Sequence, residues 1–325
     1  MRSRTLRSAL MAVVALVACA NSPQAQPQST LPDFEPDMLW QEPTDMASRD
    51  LFYGPGGAQL APPSTDGTYQ FIAYKTTGTN PGYDVRDASG RVWSVKLGIE
   101  AQPEVTVSRI LWAMGFHQPP AYFVHSFTLT GMDAGVKEVA RFRTDFDRWT
   151  AAGEWSWYDS AFKNTKPFKG LLVTQLLLNN WDLKTSNNRV YEGTDPSVKP
   201  RRLYMVRDVG SSLGHSKQAP LFNMLGTPGS QGSKNDVDDF VEQGFIKKVD
   251  GDKVSFDYRG LNQALVDTVT VADVIWACEL MARISDEQWQ AAFKAGAYPQ
   301  GHIDRYVAKI KEKIGQGLAL KASTR

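Results

Sequence analysis

An α+β fold with two lobes is what the order of elements predicts for this chain of 325 residues. The first observation is a run of short strand-like segments between Tyr69 and Phe142, punctuated by Gly, Asn and Pro, with one helical stripe among them. The second is a change beyond Trp149 to apolar segments with helical spacing. The third is that two apolar segments of that second half each run into a polar loop bearing an acid, Asp182 and Asp208. Strands gathered in one part and helices in another mark an α+β chain. With 42% hydrophobic and 22% charged residues, the chain has core enough for one two-lobed domain or two small ones.

The domain plan that follows is a signal over residues 1–18, a tether over 19–37, a strand-rich lobe over 38–150 and a mainly helical lobe over 151–325. Arg2, Arg4 and Arg7 precede the apolar run Ala9–Ala18, which is too short for a comfortable membrane span and reads as an export signal. Its end, Leu16-Val17-Ala18-Cys19, resembles a bacterial lipobox, which implies lipidation of Cys19 and attachment to the membrane on the periplasmic side. With Ala20 following, the lipoprotein pattern implies the outer membrane in a double-membrane bacterium. Ordinary cleavage after Ala18-Cys19-Ala20 is the alternative. The other cysteine, Cys278, lies in an apolar stretch and reads as a core thiol. The formal charge of +1 turns slightly negative once the three signal arginines are removed, so nothing electrostatic points to a nucleic-acid partner.

Asn21–Asp37 is rich in Pro, Gln and Ser and has little to bury, as a tether does. Met38–Pro63 mixes aromatics with Pro and Gly and predicts irregular packing. Strands are expected at 69–74, 83–86 and 91–97, with a Gly-containing loop at 76–82 and a turn at 87–90. In the third strand, alternation puts Trp93, Val95 and Leu97 on one face and Ser94 and Lys96 on the other. Pro103–Gly115 predicts a helix with the stripe Val107, Ile110, Leu111 and Met114, stopped by Gly115. Glu104 falls in its first turn, where a carboxylate complements the helix dipole. Two more strands, at 122–129 and 137–142, complete a five-stranded lobe. Trp149–Lys169 would cross to the second lobe, and Leu225–Asp236 is a Gly- and Ser-rich loop.

Beyond it, a hairpin is expected around Asp250-Gly251 and a helix over 266–283. Ser285-x-x-Gln288 is a capping box opening Asp286–Ala295. A last helix carries the stripe Ile303, Tyr306, Val307, Ile310 and Ile314, with Lys309, Lys311 and Lys313 on a solvated face. The centre of the chain is Leu171–Gly214. The apolar run Leu171–Leu178 leads into a loop with Asp182, Lys184 and Asn187, and the strand Leu203–Val206 leads into Arg207-Asp208-Val209-Gly210. Carboxylates presented at the ends of buried segments are how a scaffold holds hard oxygen ligands for a divalent ion. The plainer reading is that Asp182 and Asn187 cap the turn after a helix.

Asp182-Leu183-Lys184-x-x-Asn187 resembles the catalytic loop of protein kinases, and Asp208-Val209-Gly210 is similar to their Asp-Phe-Gly metal motif. Asn180-Trp181 stands where kinases carry His-Arg, Val209 replaces Phe, and a polar insert over Glu192–Arg202 lengthens the gap between the motifs. The resemblance, to an atypical and remote member of the kinase-like superfamily, spans about Tyr69 to Gly214. It implies a two-lobed kinase-like fold and a phosphoryl group moved from Mg²⁺- or Mn²⁺-bound ATP to an unknown protein or small-molecule acceptor. By the same resemblance Asp182 would take the proton of the attacking hydroxyl and Lys184 would steady the transferring group. Asn187 and Asp208 would hold the metal. Lys96, with Ser94 beside it, would contact the nucleotide phosphates and pair with Glu104, or failing that Glu100, while Gly78 and Gly82 let a loop approach the phosphates.

Two readings compete. A non-catalytic binding lipoprotein on a kinase-like fold, a pseudokinase, would retain the cleft without turnover. A serine hydrolase would use Ser212 within Gly210-Ser211-Ser212-Leu213-Gly214, provided that a helix begins there. His117, His125, His215 and His302 are scattered and show no metal-ligand spacing.

Overall fold

The strand-rich part closes on itself. The computed structural model describes residues 35–76, 80–216 and 232–324; Cys19 and Gly78 lie outside the described residues. Five strands, β1 (Thr68–Tyr74), β2 (Gly82–Arg86), β3 (Val92–Leu97), β4 (Ala121–Thr130) and β5 (Gly135–Arg143), form a barrel in the order β1-β2-β3-β5-β4. A short parallel pairing of β1 with β4, Thr68 opposite Thr128, closes it. Alternation sends Trp93, Val95, Phe127 and Phe142 into the barrel with Tyr69 and Tyr83, and they pack as one apolar cluster. The opposite set on β3, Ser94 and Lys96, therefore stands on the outside of the barrel wall.

Helix α1 (Ala101–Ala113) starts two residues ahead of the expected Pro103. It stops at Gly115, whose φ of +93° suits glycine; a Cβ there would sit 2.1 Å from the Gln41 carbonyl oxygen. Its stripe Val107, Ile110, Leu111 and Met114 joins the core of the helical part and not that of the barrel. Met38, Leu39, Met46 and Leu51 do the same from a segment of short 3₁₀ turns. The described residues from 35 onward consequently fall within one compact unit.

The second half keeps the α+β character with some differences from expectation. The region expected only to cross over contains strand β6 (Trp149–Gly153). It pairs with β7 (Asn188–Gly193), and β7 pairs with β8 (Arg202–Val206), making a three-stranded sheet. The expected polar insert is thus a hairpin, its strands joined through residues 194–201. Helix α2 (Lys166–Leu177) carries the apolar run and is capped by Thr165, whose hydroxyl accepts from the Phe168 amide. After α3 (Val237–Glu242), the hairpin β9 (Ile246–Asp250) and β10 (Lys253–Phe256) turns at Gly251.

The single helix expected over 266–283 is two, α4 (Gln263–Val266) and α5 (Val271–Met281), because Thr270 and Asp273 form a capping box that starts a new helix. The Ser285–Gln288 box opens α6 (Asp286–Ala295) as its spacing requires. In α7 (Gln300–Ala319), Lys313 is fully buried and not on a solvated face. Its ammonium donates to the Leu177 carbonyl at 3.1 Å and to Asn179 Oδ1 at 2.9 Å, so it satisfies the end of α2. No helix among the described residues is long and apolar enough to cross a membrane.

Candidate active site

The site is built on Lys96. Register puts Gly82 and Arg141 on either side of it across the sheet, and Arg143 opposite Ser94, so one outer face of the barrel carries Lys96, Arg141 and Arg143 together. Three cations on one face need carboxylates, and α1 brings them. Glu104, in its first turn and 1% exposed, lies 3.1 Å from Lys96 Nζ, 2.7 Å from Arg141 Nε and 3.0 Å from Arg143 Nη1. Glu100, just ahead of the helix, comes within 2.6 Å of Lys96 and also pairs with Lys234. Both glutamates therefore meet Lys96, and Glu104 alone serves two arginines as well.

The loop after β8 supplies the third carboxylate. Lys96 Nζ donates to both oxygens of Asp208, at 2.9 and 2.8 Å. Burial opposes the charge on Lys96, but Glu104, Asp208 and Glu100 around it prevail and raise its ammonium above the ordinary lysine value. Burial by itself would raise the Asp208 carboxyl; the Lys96 charge and its hydrogen bonds outweigh this and hold it well below the carboxylate range. Burial also pulls the Arg143 guanidinium down, and the nearby Arg141 and Arg207 add to that.

The loop after α2 reaches the same place. Asn187 ends a short 3₁₀ turn, and its carbonyl accepts from the amides of Arg207 and Asp208, at 2.9 and 3.1 Å. Its side-chain amide donates to the Asp182 carbonyl at 2.6 Å and to Asp182 Oδ2 at 3.1 Å. Lys184 Nζ lies 2.8 Å from Asp182 Oδ2. These contacts do cap the turn, yet they leave both acids facing one cavity of about 1000 Å³, which Gly82, Ser94, Lys96, Asp182, Asn187 and Asp208 line between the barrel and the three-stranded sheet. Gly82 sits where the backbone is tight: a Cβ would lie 2.5 Å from the Val95 carbonyl oxygen.

The donor set fits a hard divalent cation. Asp208 offers carboxylate oxygens, 39% exposed at the side chain, and Asn187 keeps its amide oxygen, with Asp182 next to it. A cation there would compete with Lys96 for Asp208. No cluster of three or more His, Cys, Asp or Glu arranged as metal ligands is found among the described residues. A set that relies on an amide oxygen and on ligand phosphates would not form such a cluster.

Other expected features fall elsewhere. Ser212 is fully buried, and residues 211–216 form no helix, so the Gly-x-Ser-x-Gly stretch presents neither an exposed nucleophile nor an elbow. Arg141, Arg143, Arg207 and Lys234 are parts of the site that motif reading passes over. The alternation Arg141-Phe142-Arg143 is the signal for the first two, since a buried Phe142 puts both arginines on the outer face.

No family model and no curated protein matches the chain. Among solved structures it is similar to the Helicobacter pylori proinflammatory kinase CtkA, with a TM-score of 0.47 and 13% identity, over 81% of this chain and 100% of that one.

Proposed function

We propose that the chain is an exported phosphotransferase on a two-lobed kinase-like fold, moving a phosphoryl group from a Mg²⁺- or Mn²⁺-bound nucleotide to an acceptor hydroxyl. The observation that carries this reading is the convergence on one cleft of Lys96, clasped by Glu104 and Asp208, with Asp182 and Asn187. In it, Lys96 binds nucleotide phosphate, and Glu104 fixes its ammonium in place. Asp208 and Asn187 hold the cation, which when bound supplies neutralisation of the phosphate charge. Asp182 accepts the proton of the attacking hydroxyl; the Asn187 amide and Lys184 orient its carboxylate. Lys184 then has the choice of Asp182 or the transferring group.

The test is transfer itself. Purified protein incubated with Mn²⁺ and γ-labelled ATP should release or transfer label, and Asp182→Asn should lower the rate by at least about a hundredfold while keeping nucleotide affinity. Equal rates in the two proteins would refute Asp182 as the base. A second reading, the non-catalytic binding lipoprotein, is favoured by one observation: Lys96 occupies both Asp208 oxygens and Lys184 occupies Asp182, so both acids already have a cationic partner without a ligand. Nucleotide binding without any turnover would decide for it. Export rests on Leu16-Val17-Ala18-Cys19, with lipid on Cys19 as the anchor. If Cys19→Ser stays in the membrane fraction like the wild type, the anchor is not that lipid.

A further inference from the structure

The cleft wall around Glu104 holds more cations than carboxylates. Lys96, Arg141 and Arg143 all converge on Glu104; Lys96 also meets Glu100 and Asp208, and Lys234 shares Glu100. Arg207 has no carboxylate within 4.0 Å among the described residues. Its Nη1 donates to the Tyr191 hydroxyl at 3.2 Å, and only through that hydroxyl, 3.0 Å from Asp145 Oδ1, is a further carboxylate reached. So Lys96, Arg141, Arg143, Arg207 and Lys234 stand against Glu100, Glu104, Asp208 and, one hydroxyl removed, Asp145.

Arg141 and Arg143 are 3% and 7% exposed, and a guanidinium out of water without its own counter-charge is costly. Arg143 Nη1 also donates to the main-chain carbonyl of Arg207, at 3.4 Å, and the Arg207 charge acts on the Arg143 guanidinium across the cavity that both line. Consecutive residues also part here: Asp208 turns to Lys96, while Arg207 turns to Tyr191 of the three-stranded sheet. Both arginines line the cavity.

We propose that Arg143 and Arg207 form an oxyanion subsite, separate from Lys96, that holds a phosphate-type group of the acceptor. Paired guanidinium forks match the oxygens of such a group better than an ammonium does. An acceptor of this class carries a hydroxyl to be modified and an anionic group to be gripped. The acceptor assignment rests on the phosphotransferase reading; the subsite itself does not.

Inorganic phosphate is the probe, titrated calorimetrically into the full chain with and without saturating Mg²⁺ and a non-hydrolysable ATP analogue. Phosphate should bind in both arms. Arg207→Gln should weaken it by at least about tenfold while changing analogue affinity by less than about twofold. Arg143→Lys, which keeps the buried charge and loses the fork, should weaken phosphate too and guards against a folding defect in a neutral variant. Absence of phosphate binding, displacement of phosphate by the analogue, or equal binding by Arg207→Gln would each overturn the proposal. If the analogue fails to bind while phosphate binds through Arg207, the subsite stands and the phosphotransferase reading falls.

Discussion

Glu104 does the work of three counter-ions, and Asp208 that of one. Substituting Glu104→Gln leaves Lys96, Arg141 and Arg143 short of a carboxylate in a buried place, so stability should fall by about 3–5 kcal/mol in urea denaturation. Asp208→Asn leaves Lys96 with Glu100 and Glu104 and strands no arginine, so the loss should be smaller than that of Glu104→Gln. A larger loss for Asp208→Asn would make it a structural residue and count against the proposed metal role. At this scale the sequence was informative where two rules met. Alternation on β3 and the first turn of α1 together placed Lys96 and Glu104, and two apolar segments placed Asp182, Asn187 and Asp208. Arg143 and Arg207 were not legible as site residues, because alternation says which face a side chain takes and not what that face looks onto.

The elements matter through where they aim the loops. Helix α2 delivers Asp182, and its seat is set by Gly170, where a Cβ would come within 2.0 Å of the Trp276 ring on α5. Gly170→Ala gains helix propensity of at most about 1 kcal/mol. Overpacking against a bulky ring should more than offset this, for a net loss of about 1–3 kcal/mol and a lower midpoint in thermal denaturation. A raised midpoint would show that the α2–α5 contact yields easily and that α2 is not held by it. The periodic helices were readable because one face of each is buried, and the hairpin, whose β9 is as exposed as β6, because Asp250-Gly251 is a turn signal in its own right. Strand β6 was not: four of its five residues are exposed, so it has no apolar alternation, and only pairing with β7 makes it a strand. Lys313 misled for the opposite reason, since a lysine in a charged helical stretch gives no sign that a helix end needs its ammonium.

For the molecule as a whole, the cleft is bridged by Lys96–Asp208 and Glu100–Lys234, which join the barrel and α1 to the loops of the helical part. Burial would raise both carboxyls, but their lysine partners hold Asp208 and Glu100 below the ordinary values of 3.8 and 4.5. Carboxyls depressed by folding lend stability that is complete above those ordinary values and is lost as pH falls toward the folded-state ones. The urea midpoint should therefore drop between about pH 5 and pH 3, and less steeply in Asp208→Asn; equal slopes would mean that the bridge contributes nothing. How the parts join was the least legible level, because Met38, Leu39, Met46 and Leu51 carry no periodic pattern and find their place only against the α1 stripe and the helical core. The most direct test of the site as a whole is the thermal midpoint with ATP, with Mg²⁺ or Mn²⁺, and with both. Ligand that binds only the folded state raises stability by about 2.7 kcal/mol at a hundredfold excess over Kd. Wild type should show a rise with cation and ATP together that exceeds either alone, and Asp208→Asn should lose it; no cation-dependent rise in the wild type would contradict the phosphotransferase site.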